Sequence, residues 1–197
     1  MKSLESAKGI ILDIGGGMNK KDHSGVLCID NRDRPETDIL WNLEVFPWPI
    51  LHSSVSMAVA TGVVSHINPA NGTFVKFMNE IWRIMKPGGE LLVSVPYATS
   101  MGMFRDPMAV NFVTEETWCY FDPEDSLTRG GLYSNYHPLP WRIKINTWDM
   151  NGTIETALVK REVKKEYGVS VGYLCELEKN SFTYGKSKKD HIGRKAS

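Results

Sequence analysis

Five short apolar segments in the first half of the chain predict β-strands. The first four are Gly9–Ile14, Val26–Ile29, Asp38–Trp41 and Val55–Ala60, and the fifth, Glu90–Val95, follows a proline–glycine–glycine turn. Apolar runs of this length are typical of strands that are buried in a parallel sheet. About a dozen residues separate the first two strands, so any crossover helix between them must be very short.

The clearest helix is predicted from Phe74 to Met85. Apolar residues recur there at intervals of three and four, which places them on one face of a helix. These residues are Phe74, Phe77, Met78, Ile81, Trp82 and Met85, and the predicted opposite face carries Lys76, Asn79, Glu80 and Arg83. Asn71 or Thr73 is the expected N-cap.

The periodicity changes to two in the last third of the chain. Apolar and polar residues alternate from Trp141 to Asn146 and again from Ile154 to Leu158, with the hairpin signal Asn151-Gly152 between them. A further alternating segment runs from Val169 to Leu177. We therefore predict an α/β sheet that is parallel in its first part and is completed by an antiparallel C-terminal hairpin.

The length of 197 residues suits one domain, which we predict to span residues 1–178. Residues 97–140 are rich in loops and aromatic residues; they could form a lid-like insertion over a planar or sugar substrate, or they could only cover the edge of the sheet. Residues 179–197 carry six basic side chains and one acidic side chain, so this tail has a net charge of +5 and the rest of the chain −5. The tail is predicted to be disordered, and only the tail could contact nucleic acid.

Composition excludes several classes of protein. The three cysteines are scattered, which argues against a disulfide framework and a zinc site and favours a reducing, cytoplasmic location. The longest stretch without charged residues, from Val45 to Val75, is interrupted by prolines and polar residues, so no membrane span is predicted. No pattern in the sequence indicates a metal site or an oligomeric state.

Candidate functional residues follow the predicted strands, where ligands bind in open α/β sheets. The first strand is followed by Gly15, Gly16 and Gly17, and the second ends at Asp30. A dinucleotide fingerprint would need a glycine where Lys20 stands, and no P-loop lysine follows. The glycines alone could form only a tight turn, but an acid at the end of the second strand is where a ribose would be bound.

Six segments together resemble class I S-adenosylmethionine-dependent methyltransferases. The resemblance is closest to the small, methyltransferase-11-like subgroup of bacteria and phages, in which a Pro-Tyr-x-x-Ser segment and an Asp-Pro pair follow the fifth strand. The matching segments are Ile11–Gly17, Gly25–Asp30, Asn42–Pro49, Ser54–Ala60, Val64–Ile67 and Glu80–Leu91, followed here by Pro96–Ser100 and Asp106-Pro107. The resemblance implies a Rossmann-like, doubly wound sheet and S-adenosylmethionine as the cofactor.

The resemblance also implies roles for residues at the strand ends. The backbone of Gly15 and Gly17 would contact the methionine part of the cofactor, and Asp13 would organise that loop or bind the ammonium group. Asp30 would accept hydrogen bonds from the ribose hydroxyls. The adenine ring would be bound by Asn42 and by the backbone amide of Leu43, and the residues that border the reactive sulfonium would be Thr61 and Gly62.

The implied activity is methyl transfer by in-line displacement, which needs little acid–base chemistry from the protein. Three residues could accept a proton: His66, Asp106 and Tyr97. Each also has a structural interpretation, as a packing histidine, a turn residue before proline and a pocket wall respectively. We expect a small-molecule acceptor, such as a sugar or a planar compound, because the motifs of base-modifying nucleic-acid methyltransferases and the carboxylate cluster of catechol-type enzymes are missing from the sequence.

Two alternatives remain at this stage. The chain could be a degenerate module that binds the cofactor or a partner without transferring methyl groups. It could also be a nucleotide-sugar or NAD-linked enzyme built on a similar sheet.

Overall fold

The computed structural model describes residues 9–16, 25–126, 136 and 138–169, and the strands in these ranges form one sheet. The strands are β1 (Ile10–Ile14), β2 (Val26–Asp30), β3 (Ile39–Leu40), β4 (Val55–Thr61), β5 (Met85–Pro96), β6 (Trp141–Trp148) and β7 (Thr153–Lys160). Their order is β3-β2-β1-β4-β5-β7-β6, with β1 to β5 parallel and β7 antiparallel to both of its neighbours.

This topology confirms the predicted fold class. The chain moves outward from β1 to β3, returns to place β4 on the other side of β1, and continues outward through β5. The sheet is therefore doubly wound, with its switch point between β1 and β4. The predicted hairpin is also confirmed, because β6 and β7 pair around a turn in which Gly152 has a φ of 78°. The domain boundaries stay a prediction, and Gly17, the segment after Val169 and the basic tail lie outside the described residues.

Three α-helices occur in the described ranges: α1 (Thr73–Ile84), α2 (Met101–Arg105) and α3 (Glu115–Cys119). The predicted caps of α1 are wrong, because the helix is preceded by Gly72 at a φ of 70° and no side chain caps it. A glycine tolerates that left-handed conformation, which ends the preceding 3₁₀ turn and redirects the chain into the helix. By contrast, α3 begins with a capping box between Thr114 and Thr117.

The predicted polar face of α1 is wrong as well. Lys76 is exposed, but Asn79, Glu80 and Arg83 are buried, and the exposed fractions of Glu80 and Arg83 are 2% and 0%. Two loop segments cover the side of α1 that faces away from the sheet. Residues 46–50 supply one, and residues 138–140 supply the other, where Leu139 donates its backbone N–H to Asn79 Oδ1 at 2.7 Å.

A buried ion pair joins α1 to the loop between β3 and β4. Arg83 Nη2 and Nε lie 2.6 and 2.9 Å from the two carboxylate oxygens of Glu80. The same carboxylate accepts the backbone N–H of Trp48 at 2.6 Å, and Arg83 Nη2 donates to the carbonyl oxygens of Trp48 and Ile50 at 3.2 and 2.9 Å. The indole of Trp48 then packs edge-on against Phe77, with 5.6 Å between ring centroids.

A second ion network lies on the surface and joins the chain after α3 to the chain after β7. Glu124 is bonded by Lys164 Nζ at 2.8 Å and by the hydroxyl of Tyr167 at 2.6 Å, and Arg161 Nη1 lies 2.8 Å from its other oxygen. These contacts, led by the bonds from Lys164 and Tyr167, lower the pKa of Glu124 from 4.5 to about 2.

No helix in the described ranges combines the length and the apolar character that a membrane crossing needs.

Replacing Arg83 with Met tests the buried pair. The substitution leaves the Glu80 carboxylate buried without its counter-charge, so we expect a loss of about 3–5 kcal/mol in the free energy of unfolding measured with urea. The double variant Glu80→Gln/Arg83→Met carries no buried charge and should lose less than Arg83→Met alone. Lys76→Met, on the exposed part of the same helix, is the control; an Arg83→Met protein as stable as this control would contradict the prediction.

Acid should weaken the Glu124 network. Because the pKa of Glu124 is lowered in the folded protein, its contacts stabilise the fold above pH 4.5 and lose this effect as the pH falls toward 2. The melting temperature of Glu124→Gln should therefore be below that of the wild type at pH 7, and the difference should vanish near pH 2. Salt should reduce the difference, because the groups are exposed. Glu162→Gln, at an exposed neighbouring position, should melt like the wild type at every pH.

Candidate functional site

The glycine turn after β1 is closely packed on two sides. Gly15 has a φ of 71° and donates its N–H to the carbonyl oxygen of Ile29 at 2.8 Å, which ties the turn to β2. A β-carbon at Gly15 would lie 2.6 Å from Val63 Cγ2, in the loop after β4. A β-carbon at Gly16 would overlap the carboxylate of Asp13. Glycine at both positions thus lets the turn lie against the loop after β4 and lets the Asp13 carboxylate lie against the turn.

The end of β2 is fixed to the chain that follows it. Asp30 is buried, and its Oδ1 accepts the backbone N–H of Arg32 at 2.8 Å. Its carbonyl oxygen accepts the backbone N–H of Trp41 at 2.8 Å, so the ends of β2 and β3 are held side by side. The predicted ribose-binding acid therefore lies at the carboxyl edge of the sheet with one carboxylate oxygen turned toward the backbone after β2.

An open cleft of about 480 Å³ lies at the end of β3. Its walls are partly apolar, and two amide side chains supply the polar groups. The residues that line it are Asn31, Leu40, Trp41, Asn42 and Val45. Trp41 donates its indole N–H to the carbonyl oxygen of Val45 at 2.8 Å, which fixes the ring that forms one wall. Asn42 Oδ1 accepts the backbone N–H of Glu44 at 2.9 Å, so this amide is also held in place.

The sequence located this cleft only in part. Asn42 was predicted as an adenine-binding residue and does line the cleft, whereas the side chain of Leu43 is buried in the core and its carbonyl oxygen accepts the indole N–H of Trp48 at 3.2 Å. Sequence reasoning missed Trp41 as a wall of the cleft. The available signal was the position of this tryptophan, at the end of a predicted strand and directly before Asn42.

Thr61 and Gly62 end β4 at the same edge of the sheet. Thr61 is exposed, and Gly62, at a φ of 70°, donates its N–H to the carbonyl oxygen of Ser94 at 2.7 Å. The carbonyl oxygen of Gly62 accepts the hydroxyl of Ser65 at 3.0 Å. This turn leads directly into the 3₁₀ turn Val64–His66.

Two of the three candidate proton acceptors meet beside this turn. His66 Nε2 lies 3.5 Å from Asp106 Oδ2, and His66 Nδ1 lies 3.3 Å from the carbonyl oxygen of Met108. Each ring nitrogen thus faces an oxygen atom. The carboxylate of Asp106 also accepts the backbone N–H of Met108 on Oδ1 at 2.9 Å, which holds it beside the ring.

Tyr97, the third candidate, lies after β5 in a different environment. Its backbone N–H donates to Gly152 at 2.7 Å, and its ring is 5.5 Å from that of Trp148. A hydrogen bond with Glu115, together with desolvation, raises the pKa of Tyr97 and so disfavours the phenolate. This environment suits a wall of the site better than a base.

The predicted lid divides into two sets of aromatic residues. Trp118 and Phe121 belong to the core, where both pack edge-on or tilted around Phe74. Phe104 and Phe112 are exposed and contact each other. Trp118 and Phe121 thus contribute to the core, and a lid formed by residues 97–140 stays a prediction.

Comparison of the sequence with protein-family models and with curated proteins gave no match. Structural comparison did find similar proteins. One is a chain of the complex between the Haloferax volcanii Trm112 methyltransferase activator and a candidate methyltransferase, with a TM-score of 0.52, 13% identity, and coverage of 78% of this chain and 83% of that chain. Another is the 1,6-didemethyltoxoflavin-N1-methyltransferase of Burkholderia thailandensis, solved with its substrate and S-adenosylhomocysteine, with a TM-score of 0.51, 13% identity, and coverage of 79% and 72%.

At this level of identity the similarity concerns the fold and not the activity. This chain has the fold of the class I S-adenosylmethionine-dependent methyltransferases.

Proposed function

We propose that this chain binds S-adenosylmethionine along the carboxyl ends of β1, β2 and β3 and transfers its methyl group to a small-molecule acceptor. The observation that carries the proposal is the cleft at the end of β3, lined by the residue that follows the buried Asp30, at the same edge of the sheet as a glycine turn that has no room for side chains. The fold adds support, because open α/β sheets bind nucleotides at this edge.

The chemistry of the cleft suits a nucleoside. A carboxylate has two oxygen atoms that can accept the hydroxyl protons of a ribose diol, and such charge-assisted bonds are among the stronger ones in proteins. Trp41 offers an aromatic face to a flat base, and the amide of Asn42 can both donate and accept hydrogen bonds at its edge. The exposed side chains of Leu40 and Val45 complete the apolar walls.

The remaining residues would position the acceptor. When bound, S-adenosylmethionine supplies a methyl group that is already activated by a sulfonium. The chain then needs to hold the acceptor atom in line with the methyl carbon and the sulfur, and to prevent approach from other directions. Thr61 and Gly62 lie at the end of β4, directly before Val63, which contacts the glycine turn, and the 3₁₀ turn that ends at His66. The His66–Asp106 pair would receive or orient the proton of an acceptor hydroxyl or amine.

Calorimetry with S-adenosylhomocysteine and with NAD⁺ tests the choice of cofactor. The proposal predicts binding of the first and none of the second. Formation of S-adenosylhomocysteine from S-adenosylmethionine in the presence of a metabolite mixture would distinguish an active transferase from a degenerate module that only binds.

The substitution Asp30→Asn should weaken the binding of S-adenosylhomocysteine. The change removes the charge and one acceptor but keeps an oxygen for the backbone N–H of Arg32, so the fold should be retained. A hydrogen bond to a charged group contributes about 1.5–3 kcal/mol, so we expect Kd to rise by roughly 10- to 100-fold in calorimetry. Asp33→Asn, at an exposed position three residues later, should bind like the wild type. Equal affinity of Asp30→Asn and the wild type would exclude Asp30 as a ribose-binding residue.

The substitution Trp41→Ala should also weaken the binding of S-adenosylhomocysteine, because it removes the aromatic wall of the cleft. Stacking of a base on an aromatic side chain contributes about 1–3 kcal/mol, which corresponds to a Kd roughly 5- to 100-fold higher. Trp41→Phe should restore most of the affinity. Trp148→Ala, which removes an exposed tryptophan elsewhere, is the control for adenine binding. An affinity that follows the control in both Trp41 variants would contradict the proposed adenine site.

A further inference from the structure

The segment after β5 exposes apolar side chains although its backbone is firmly held. Val110 and Asn111 both donate their N–H groups to the carbonyl oxygen of Ser65, at 2.9 and 3.0 Å. The side-chain amide of Asn111 donates to the carbonyl oxygen of Val64 at 3.1 Å, and Ala98 donates its N–H to Val113 at 2.9 Å. The segment is thus fixed onto the loop that carries His66.

The side chains that anchor this segment are different from those it exposes. Met103, Asn111 and Val113 are buried. Phe104 and Phe112 are 67% and 53% exposed, and the other exposed apolar side chains are Met101, Met108 and Val110. Because the anchoring residues already hold the segment, its fold does not require large apolar groups at the exposed positions, and contiguous exposed apolar surface commonly marks a binding site.

The two phenylalanines form one surface. Their ring centroids are 6.3 Å apart and their planes are inclined by 53°, and both rings are exposed. Such a surface offers a planar ring both edge-to-face and offset contacts. The exposed apolar side chains nearby offer no hydrogen-bonding groups of the kind that a sugar needs for orientation.

The same short segment carries the acid–base pair. Asp106 stands two residues after Phe104 and two before Met108, and the carbonyl oxygen of Met108 contacts the ring of His66. The two phenylalanines and the His66–Asp106 pair are therefore carried by the same short segment and the loop on which it is fixed. This pair is polar, partly exposed and able to accept a proton.

We infer that the methyl acceptor is a planar aromatic compound with a hydroxyl or amino group, bound on Phe104 and Phe112 with that group facing the His66–Asp106 pair. The inference rests on the proposed function and specifies its substrate class. In the reaction, the acceptor oxygen or nitrogen forms a bond to the methyl carbon while the carbon–sulfur bond breaks and its electron pair stays on sulfur. The proton of the acceptor passes to the His66–Asp106 pair.

The test measures binding of 2-naphthol to the protein saturated with S-adenosylhomocysteine, using calorimetry. Two matched probes are decahydro-2-naphthol, which has the same hydroxyl without aromatic rings, and methyl glucoside. We expect 2-naphthol to bind at least 10-fold more tightly than either probe. Phe104→Ser and Phe112→Ser should each lower the affinity for 2-naphthol at least 5-fold. Neither variant should change the affinity for S-adenosylhomocysteine or the melting temperature. Met150→Ser, at a fully exposed position outside the segment, is the control and should change none of these quantities.

The outcomes separate the two levels of the proposal. If the wild type does not bind S-adenosylhomocysteine, the proposed function is wrong and the acceptor inference is wrong with it. If S-adenosylhomocysteine binds but 2-naphthol binds no better than methyl glucoside, or binds equally to the Ser variants, the aromatic acceptor alone is wrong. Sedimentation of the same proteins gives a third readout: a wild-type dimer that dissociates in the Ser variants would show that the two phenylalanines form a subunit interface, which would also overturn the inference.

Discussion

The pairing of Glu80 with Arg83 inside the protein is the constraint on which the rest of the structure depends. Removing two charges from water is costly, and the cost is offset here because the pair also satisfies backbone groups of a loop that has no regular hydrogen bonding of its own. The loop is thereby fixed on α1, and Trp48 extends the connection by donating its indole N–H to the carbonyl oxygen of Leu43. Leu43 directly follows Asn42, which lines the cleft, so a continuous series of contacts leads from a buried ion pair in the helix to the candidate cofactor site.

This arrangement compensates for short connections between the first strands. Residues 31–38 and 41–54 are described throughout and contain no helix, whereas a doubly wound sheet usually has a helix in each crossover. Without those helices the core on this part of the sheet has to be completed by loop side chains, and Trp48 and Ile50 supply that apolar volume. The same loop between β3 and β4 supplies Trp41 and Val45, which form walls of the cleft.

Apolar patterning was sufficient to predict the hairpin, the main helix and most strand bounds to within two residues, because burial in a sheet or on one helix face imposes a local period. The start of the fifth strand was predicted wrongly, because β5 begins at Met85 and includes the Pro87-Gly88-Gly89 segment that was expected to form a turn. Patterning also failed for Glu80 and Arg83 because their partners at Trp48 and Ile50 lie more than 30 residues away, and a polar residue looks the same in sequence whether water or a distant loop satisfies it. The N-cap of α1 was wrong for a related reason: the left-handed conformation of Gly72 ends a preceding 3₁₀ turn that no local pattern announced. In the candidate site, family resemblance indicated His66 and Asp106 separately, but their contact depends on Ser65 accepting two backbone N–H groups from a segment 45 residues later.

The two halves of the candidate site are held by different forces, and this difference determines how each can vary. The cofactor half depends on buried charges, on tight glycine packing against Val63 and on strand ends that are bonded to each other, so most substitutions there would also disturb the core. The acceptor half is held through backbone hydrogen bonds and a few inward side chains, while Phe104 and Phe112 point away from the core. Substitutions at these exposed positions change the surface that an acceptor meets at little cost to folding. Under the proposed function, the acceptor could therefore change through outward-facing residues of one short segment while the cofactor half stays as it is.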